Sequence, residues 1–260
     1  MELISQKSVI EELTNLAEHN RHSIMIVGPH GSGKTHLAKM YASMLGIDDF
    51  LEISPKVEEV RRAIDTCIDL NTPVVMCIEN LDKGVLSAAY TLLKFLEEPS
   101  DNAYIIITAR NITKVPDTII SRSTVTITSP PTDVDIAEYA KLKNLSRYES
   151  LCNNRIWKCV RSFADADMVL NLSGPQLQFF DDLSSKLKFQ DTITNMSWNF
   201  GHYPDNTETP IEFVIRYIME LVDTKHARLA GVSCIRDISS GRIAKHAALS
   251  KFLFEMKYTE

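Results

Sequence analysis

Along the first half of the chain, short apolar-rich runs alternate with stretches whose apolar residues recur every three or four positions. Runs over 23–27, 49–53, 73–78, 103–108 and 124–128 are the length of buried strands. Between them, Val9, Ile10, Leu13 and Leu16 mark a helix over 8–19, and Leu37, Ala38, Tyr41, Ala42 and Leu45 one over 34–45. A third helix is expected over 57–69. A fourth, over 85–97, carries Val85, Ala89, Leu92, Leu93 and Leu96 on one face and is closed by Pro99. Short strands separated by helices predict an α/β fold: a parallel sheet with helices on both faces. Pro130-Pro131 ends this regime. Beyond it the periodicity is helical, over 133–145, 155–170, 176–187, 211–230 and 243–256, with a loop at 201–206.

The junction of the first strand and the second helix carries the chemistry. Gly28-Pro29-His30-Gly31-Ser32-Gly33-Lys34-Thr35 fits G-x-x-x-x-G-K-[ST], the phosphate-binding loop. Glycines let the backbone curl so that several N–H groups converge on a polyphosphate. Lys34 adds a positive charge, Thr35 offers a hydroxyl to Mg²⁺, and a helix opening at Gly33 or Lys34 points its positive end at the anion. The motif stands between an apolar run and a helical pattern, the setting it requires. It implies a nucleotide with Mg²⁺.

Composition narrows the remaining choices. The chain has 260 residues and a net charge of −6 with both signs interspersed, which excludes a bulk polycation for nucleic acid but leaves room for a local basic surface. No apolar stretch approaches the ~18 residues of a membrane span, and Met1-Glu2-Leu3-Ile4-Ser5 lacks the layout of a signal peptide. Five cysteines at 67, 77, 152, 159 and 234, with no C-x-x-C, argue against a zinc module or a disulfide framework. A cytoplasmic protein without membrane contact is expected.

A P-loop enzyme needs an acidic residue at the end of a neighbouring strand to hold the metal. The apolar run Val74-Val75-Met76-Cys77-Ile78 leads into Glu79, which suits that task. Many such ATPases follow it with a glutamate that orients the attacking water; here the residue is Asn80. An amide holds a water but does not accept its proton at neutral pH. Binding is thus better supported than hydrolysis, and Asn80→Glu should raise the rate if only the water-orienting group is missing.

Two further segments suggest a family. Ser87-Ala88-Ala89-Tyr90-Thr91-Leu92-Leu93-Lys94-Phe95-Leu96-Glu97-Glu98-Pro99 resembles the A-N-A-L-L-K-T-L-E-E-P segment of bacterial clamp-loader ATPase subunits. Pro116-Asp117-Thr118-Ile119-Ile120-Ser121-Arg122-Ser123 resembles their P-x-T-I-x-S-R-C segment. With the P-loop and the acidic strand end, these occur in the family's order along 1–130. The chain is therefore similar to AAA+ subunits of the DNA polymerase III gamma/tau and delta-prime type and to phage and archaeal small clamp-loader subunits.

The resemblance implies an AAA+ core at 1–130, a helical lid at 131–172 and a helical collar for oligomerisation at 173–260. It implies ATP between neighbours in a homo- or hetero-pentamer of clamp-loader subunits, a sliding clamp as client, and primer–template DNA. Lys34 and Thr35 would grip phosphate and Mg²⁺, and Glu79 would hold the metal. Arg122 would reach the neighbour's ATP in trans, a task suited to a forked, always-charged guanidinium. The sensor-1 position falls on Arg110, with Thr108 as the other candidate. A sensor-2 cation should open a lid helix, with Arg155 and Lys158 as candidates. Arg61, Arg62 and Lys83 are candidate DNA phosphate contacts. The departures are Asn80, Arg110, Tyr90 where an amide is common, and Ser123 for cysteine. A hydrolysing motor subunit, an ATP-binding but silent subunit, and another AAA+ machine such as a helicase loader all remain compatible with these residues.

Overall fold

In the computed structural model of the chain, five strands form one parallel sheet in the order β2-β3-β4-β1-β5. The structure describes residues 6–186, 211–222 and 224–239, together with 247, 251–253 and 255. The elements in chain order are α1 (Lys7–Glu18), β1 (Ser23–Val27), α2 (Lys34–Met44), β2 (Phe50–Ile53), α3 (Val57–Asp69), β3 (Val74–Ile78), α4 (Leu86–Glu97), β4 (Ala103–Ala109), α5 (Asp117–Ile120), β5 (Thr124–Ile127), α6 (Asp133–Leu151), α7 (Phe163–Asn171) and α8 (Gly174–Lys186). Helices Ile211–Val222 and Lys225–Ser239 follow. The α/β core expected from the apolar runs is present, with each strand within a residue or so of its expected place.

The three central strands, β3, β4 and β1, are buried on both faces. Successive side chains of a strand point to opposite sides. Met25, Val27, Met76, Ile78, Ile105 and Ile107 join Val60, Cys67, Leu92 and Phe95 of α3 and α4 in one core. The alternate residues Ile24, Ile26, Val75, Cys77 and Ile106 are equally buried, with α2 lying against β1, β3 and β4 and α1 against α2. Double burial is why these strands read as continuous apolar runs. Register aligns Ile26 with Thr108 on one side of β1 and with Thr126 on the other, so the ends of β1, β3, β4 and β5 lie together. That edge carries the candidate site.

Several helices differ from the periodicity reading. α4 begins at Leu86, and Val85 is its extended N-cap with a 62% exposed side chain, not part of the inward face. The buried arc is Ala88, Ala89, Leu92, Phe95 and Leu96, and Leu86 and Tyr90 face outward. α6 runs past 145 to Leu151 with a kink at Asn144 (φ −159°, ψ 90°), whose Oδ1 accepts from the Arg147 N–H at 3.1 Å and starts a new helical segment. The single helix expected over 155–170 is instead a 3₁₀ turn, Trp157–Cys159, followed by α7 from Phe163. The helix expected over 211–230 ends at Val222, and a second begins at Lys225, where Thr224 Oγ1 accepts from the Ala227 N–H at 3.1 Å. The 201–206 loop and most of the 243–256 helix lie outside the described residues.

The chain divides into two compact units, Met1–Tyr139 with Ser162–Ala164, and Ala140–Arg161 with Asp165–Glu260. Within the second, the Phe180 ring meets Phe213 and Tyr217 edge-on, with centroids 6.0 and 4.9 Å apart. The buried Asp165 carboxylate receives both arms of the Arg216 guanidinium at 2.9 Å each. Among the described residues no helix is long and apolar enough to cross a membrane.

Candidate nucleotide-binding site

Gly28-Pro29-His30-Gly31-Ser32-Gly33 connects the buried β1 to α2 at the sheet edge. Its base is clamped between the two strands that flank β1. The Gly28 N–H donates to Ala109 O at the end of β4 (3.0 Å), and the buried Ser32 hydroxyl pairs with Thr128 Oγ1 beyond β5 (2.8 Å). Gly28 is required by space: a Cβ there would lie 1.9 Å from Thr128 Oγ1 and 2.9 Å from Thr128 O. Gly33, the N-cap of α2, has φ +85°, a left-handed conformation open to glycine. On the outer bend, the Phe163 N–H donates to Gly31 O at 3.2 Å, so Ser162–Ala164 lean on the loop.

Lys34 and Thr35 begin α2. The Lys34 side chain is buried and folds back, its Nζ donating to Gly28 O (2.9 Å) and Pro29 O (2.7 Å). Burial first, and then the Arg110 guanidinium, lower its ammonium to about 8 against the opposing pull of Asp82 and Glu79. The Thr35 hydroxyl donates to Glu79 Oε1 at 2.5 Å. Pro29 and His30 are on the exposed rim. The site therefore has a glycine loop leading into a helix start, a buried cation, and a hydroxyl–carboxylate pair. Thr35 and Glu79 fit a small divalent cation, which takes oxygen ligands and shares them with phosphate. Lys34 and the loop fit the phosphates themselves. Among the described residues no cluster of three or more His, Cys, Asp or Glu suggests a separate metal centre.

Behind Glu79 the chain turns sharply. Asn80 is left-handed (φ 51°, ψ 52°), and its N–H donates to the buried Thr108 Oγ1 at 2.9 Å. Arg110, just after β4, donates from Nε to Asn80 Oδ1 (3.2 Å) and from its backbone N–H to Asp82 Oδ1 (2.9 Å). The structure thus gathers Lys34, Thr35, Glu79, Asn80, Thr108 and Arg110. Asp82, two residues beyond Asn80, belongs to the same group.

The remaining candidates lie elsewhere. Arg122 follows α5 and is exposed, with its Nη2 donating to Glu97 Oε1 (2.7 Å) and its Nη1 to Thr118 O (3.0 Å). The two segments that carried the resemblance are therefore tied to each other. Arg61, Arg62 and Lys83 are exposed. Lys158 is in the second unit on a 3₁₀ turn, 4.0 Å from Glu220, and Arg155 precedes that turn; neither opens a helix. The helix start falls at Phe163, and the residues leading into it, Arg161 and Ser162, escaped the sequence reading because periodicity ran straight through them.

Residues 48–131 match the family model described as DNA polymerase III, delta subunit. A DNA polymerase III gamma subunit-related protein from Thermotoga maritima has the same fold, with a TM-score of 0.55, 17% identity, and coverage of 95% of this chain and 98% of that one. A RuvB point mutant from Thermotoga maritima overlaps at a TM-score of 0.48 with 15% identity, over 63% of this chain and 60% of that one. No curated protein matches the sequence.

Proposed function

On an AAA+ fold of clamp-loader type, with residues 48–131 matching the DNA polymerase III delta subunit family, we propose that this chain is a clamp-loader subunit that binds ATP and Mg²⁺. The observation that carries this reading is the meeting of Lys34, Thr35 and Glu79 at one edge of the sheet. The P-loop and Lys34 hold the phosphates; Thr35 and Glu79 hold the cation. A divalent cation held there would offset phosphate charge. Arg122, beyond α5 and away from its own P-loop in sequence, serves the nucleotide of a neighbouring subunit. Residues 131–172 act as a lid, and 173–260 as a collar that joins subunits around primer–template DNA beneath a sliding clamp.

Asn80 in place of a carboxylate favours a subunit that retains ATP and hydrolyses it slowly. Titration with a fluorescent adenine nucleotide in Mg²⁺ should saturate, and Lys34→Ala should abolish that saturation. Mixed with a sliding clamp and partner subunits, the chain should enter a five-membered particle by mass. A saturating nucleotide isotherm with no clamp affinity would instead favour a different AAA+ machine. No saturable uptake, alone or assembled, would remove the reading.

A further inference from the structure

Asn80 and Arg110 make a contact whose chemistry reaches beyond a missing carboxylate. Arginine Nε is a donor with no acceptor capacity. Facing it at 3.2 Å, the Asn80 amide must present its oxygen. That ties Oδ1 to the guanidinium through one lone pair, while Nδ2 can only donate. The backbone on either side is pinned as well. The Asn80 N–H is held by Thr108, which is 1% exposed, and the Arg110 N–H by Asp82. Both residues are therefore fixed at the adjoining ends of β3 and β4, which pair in parallel.

We propose that Arg110 is a positioning residue that holds the Asn80 amide through its oxygen, so that the Asn80–Arg110 pair, and not the absent carboxylate alone, holds back hydrolysis. In hydrolysis the water oxygen bonds to the terminal phosphorus, the bond from that phosphorus to the bridging oxygen of ADP breaks, and one water proton passes to a base. A water meeting Nδ2 would receive a hydrogen bond on the lone pair it needs for attack, and would find no acceptor for its proton. A carboxylate placed at position 80 by itself meets the same guanidinium. It forms a charge-assisted pair there and is occupied in turn. Because arginine stays protonated at every accessible pH, the lock does not open by titration.

This inference rests on the ATP-binding reading, and its test separates the two. Single-turnover hydrolysis and affinity for a non-hydrolysable ATP analogue are measured in the assembled particle for wild type, Asn80→Glu, Asn80→Glu/Arg110→Ser and Asn80→Glu/Arg110→Lys. Asn80→Glu alone should change the rate less than about threefold. Adding Arg110→Ser should raise it about tenfold or more, within the usual span for a positioned base. Adding Arg110→Lys should keep most of the suppression, a result that lost packing alone does not give. Analogue affinity should stay within a few-fold throughout. Analogue binding with Asn80→Glu as fast as Asn80→Glu/Arg110→Ser, or with Asn80→Glu/Arg110→Ser no faster than wild type, overturns the lock and leaves the ATP-binding reading standing. No analogue binding by wild type removes that reading, and the lock with it. A readout free of folding risk is the Arg110 Nε–H resonance: protected from exchange in wild type and exposed in Asn80→Ala if the lock exists, unprotected in wild type if it does not.

Discussion

The Thr35 hydroxyl rests on Glu79 Oε1 at 2.5 Å, joining the first turn of α2 to the end of β3 before any ligand arrives. Both are hard oxygen ligands side by side, so a divalent cation held by both would take the place of this hydrogen bond. Glu79→Gln keeps the shape and removes the charge. It should lower Mg²⁺-dependent nucleotide affinity about tenfold, within the usual range for altering a metal's supporting groups, and leave metal-free affinity nearly unchanged. Titrations with Mg²⁺ and with EDTA measure the difference.

Lys34 gives a pH dependence of definite sign. Its folded pKa, about 8, lies below the ordinary 10.5. Below pH 8 the lysine is charged both folded and unfolded, and the fold bears the full cost of burying that charge. Between about 8 and 10.5 the folded form releases its proton first, so this group's contribution to stability rises with pH. Phosphate binding requires the ammonium and reverses the trend. Binding of ATP at pH 8.5 should take up protons, and Lys34→Met should not show it; calorimetry in two buffers of different ionisation enthalpy reads the uptake.

Gly28→Ala should be destabilising out of proportion to its size. The added methyl collides with both the hydroxyl and the carbonyl of Thr128, and only the former can rotate away. Overpacking of this kind costs about 2 kcal/mol, or roughly 4–8 °C in a chain of this size. Differential scanning calorimetry measures the shift. Loss of the Ser32–Thr128 bond should accompany it, with weaker nucleotide uptake.

In the second unit, Arg216→Ala leaves the buried Asp165 carboxylate without its bidentate partner. Removing one member of a buried pair costs about 3 kcal/mol. Asp165→Asn should cost less, since it removes the stranded charge. Urea denaturation followed by Trp157 fluorescence ranks the two.

The sheet and the P-loop were legible because their causes are local. Doubly buried strands leave unbroken apolar runs, and a phosphate loop leaves its glycines. The breaks among the later helices have mixed causes. Asn144 and Thr224 are hydrogen-bonding caps in mid-helix, a signal the chain carries but apolar periodicity overrides. The start of α7 at Phe163 is different. Asp165 accepts from the Arg161 N–H and is held by Arg216, fifty-one residues away, and no local window contains that partner. Asp82 likewise takes its place from a distant partner, the Arg110 N–H just beyond β4.

The order β2-β3-β4-β1-β5 has a consequence for synthesis. The first strand waits for both of its neighbours: β4 is made about eighty residues later, and β5 later still. The glycine loop is braced by Ala109 and Thr128, so it has no scaffold while those residues are still inside the ribosome. A nascent chain stalled after α4 should emerge with every phosphate-contacting residue translated and no capacity to retain nucleotide.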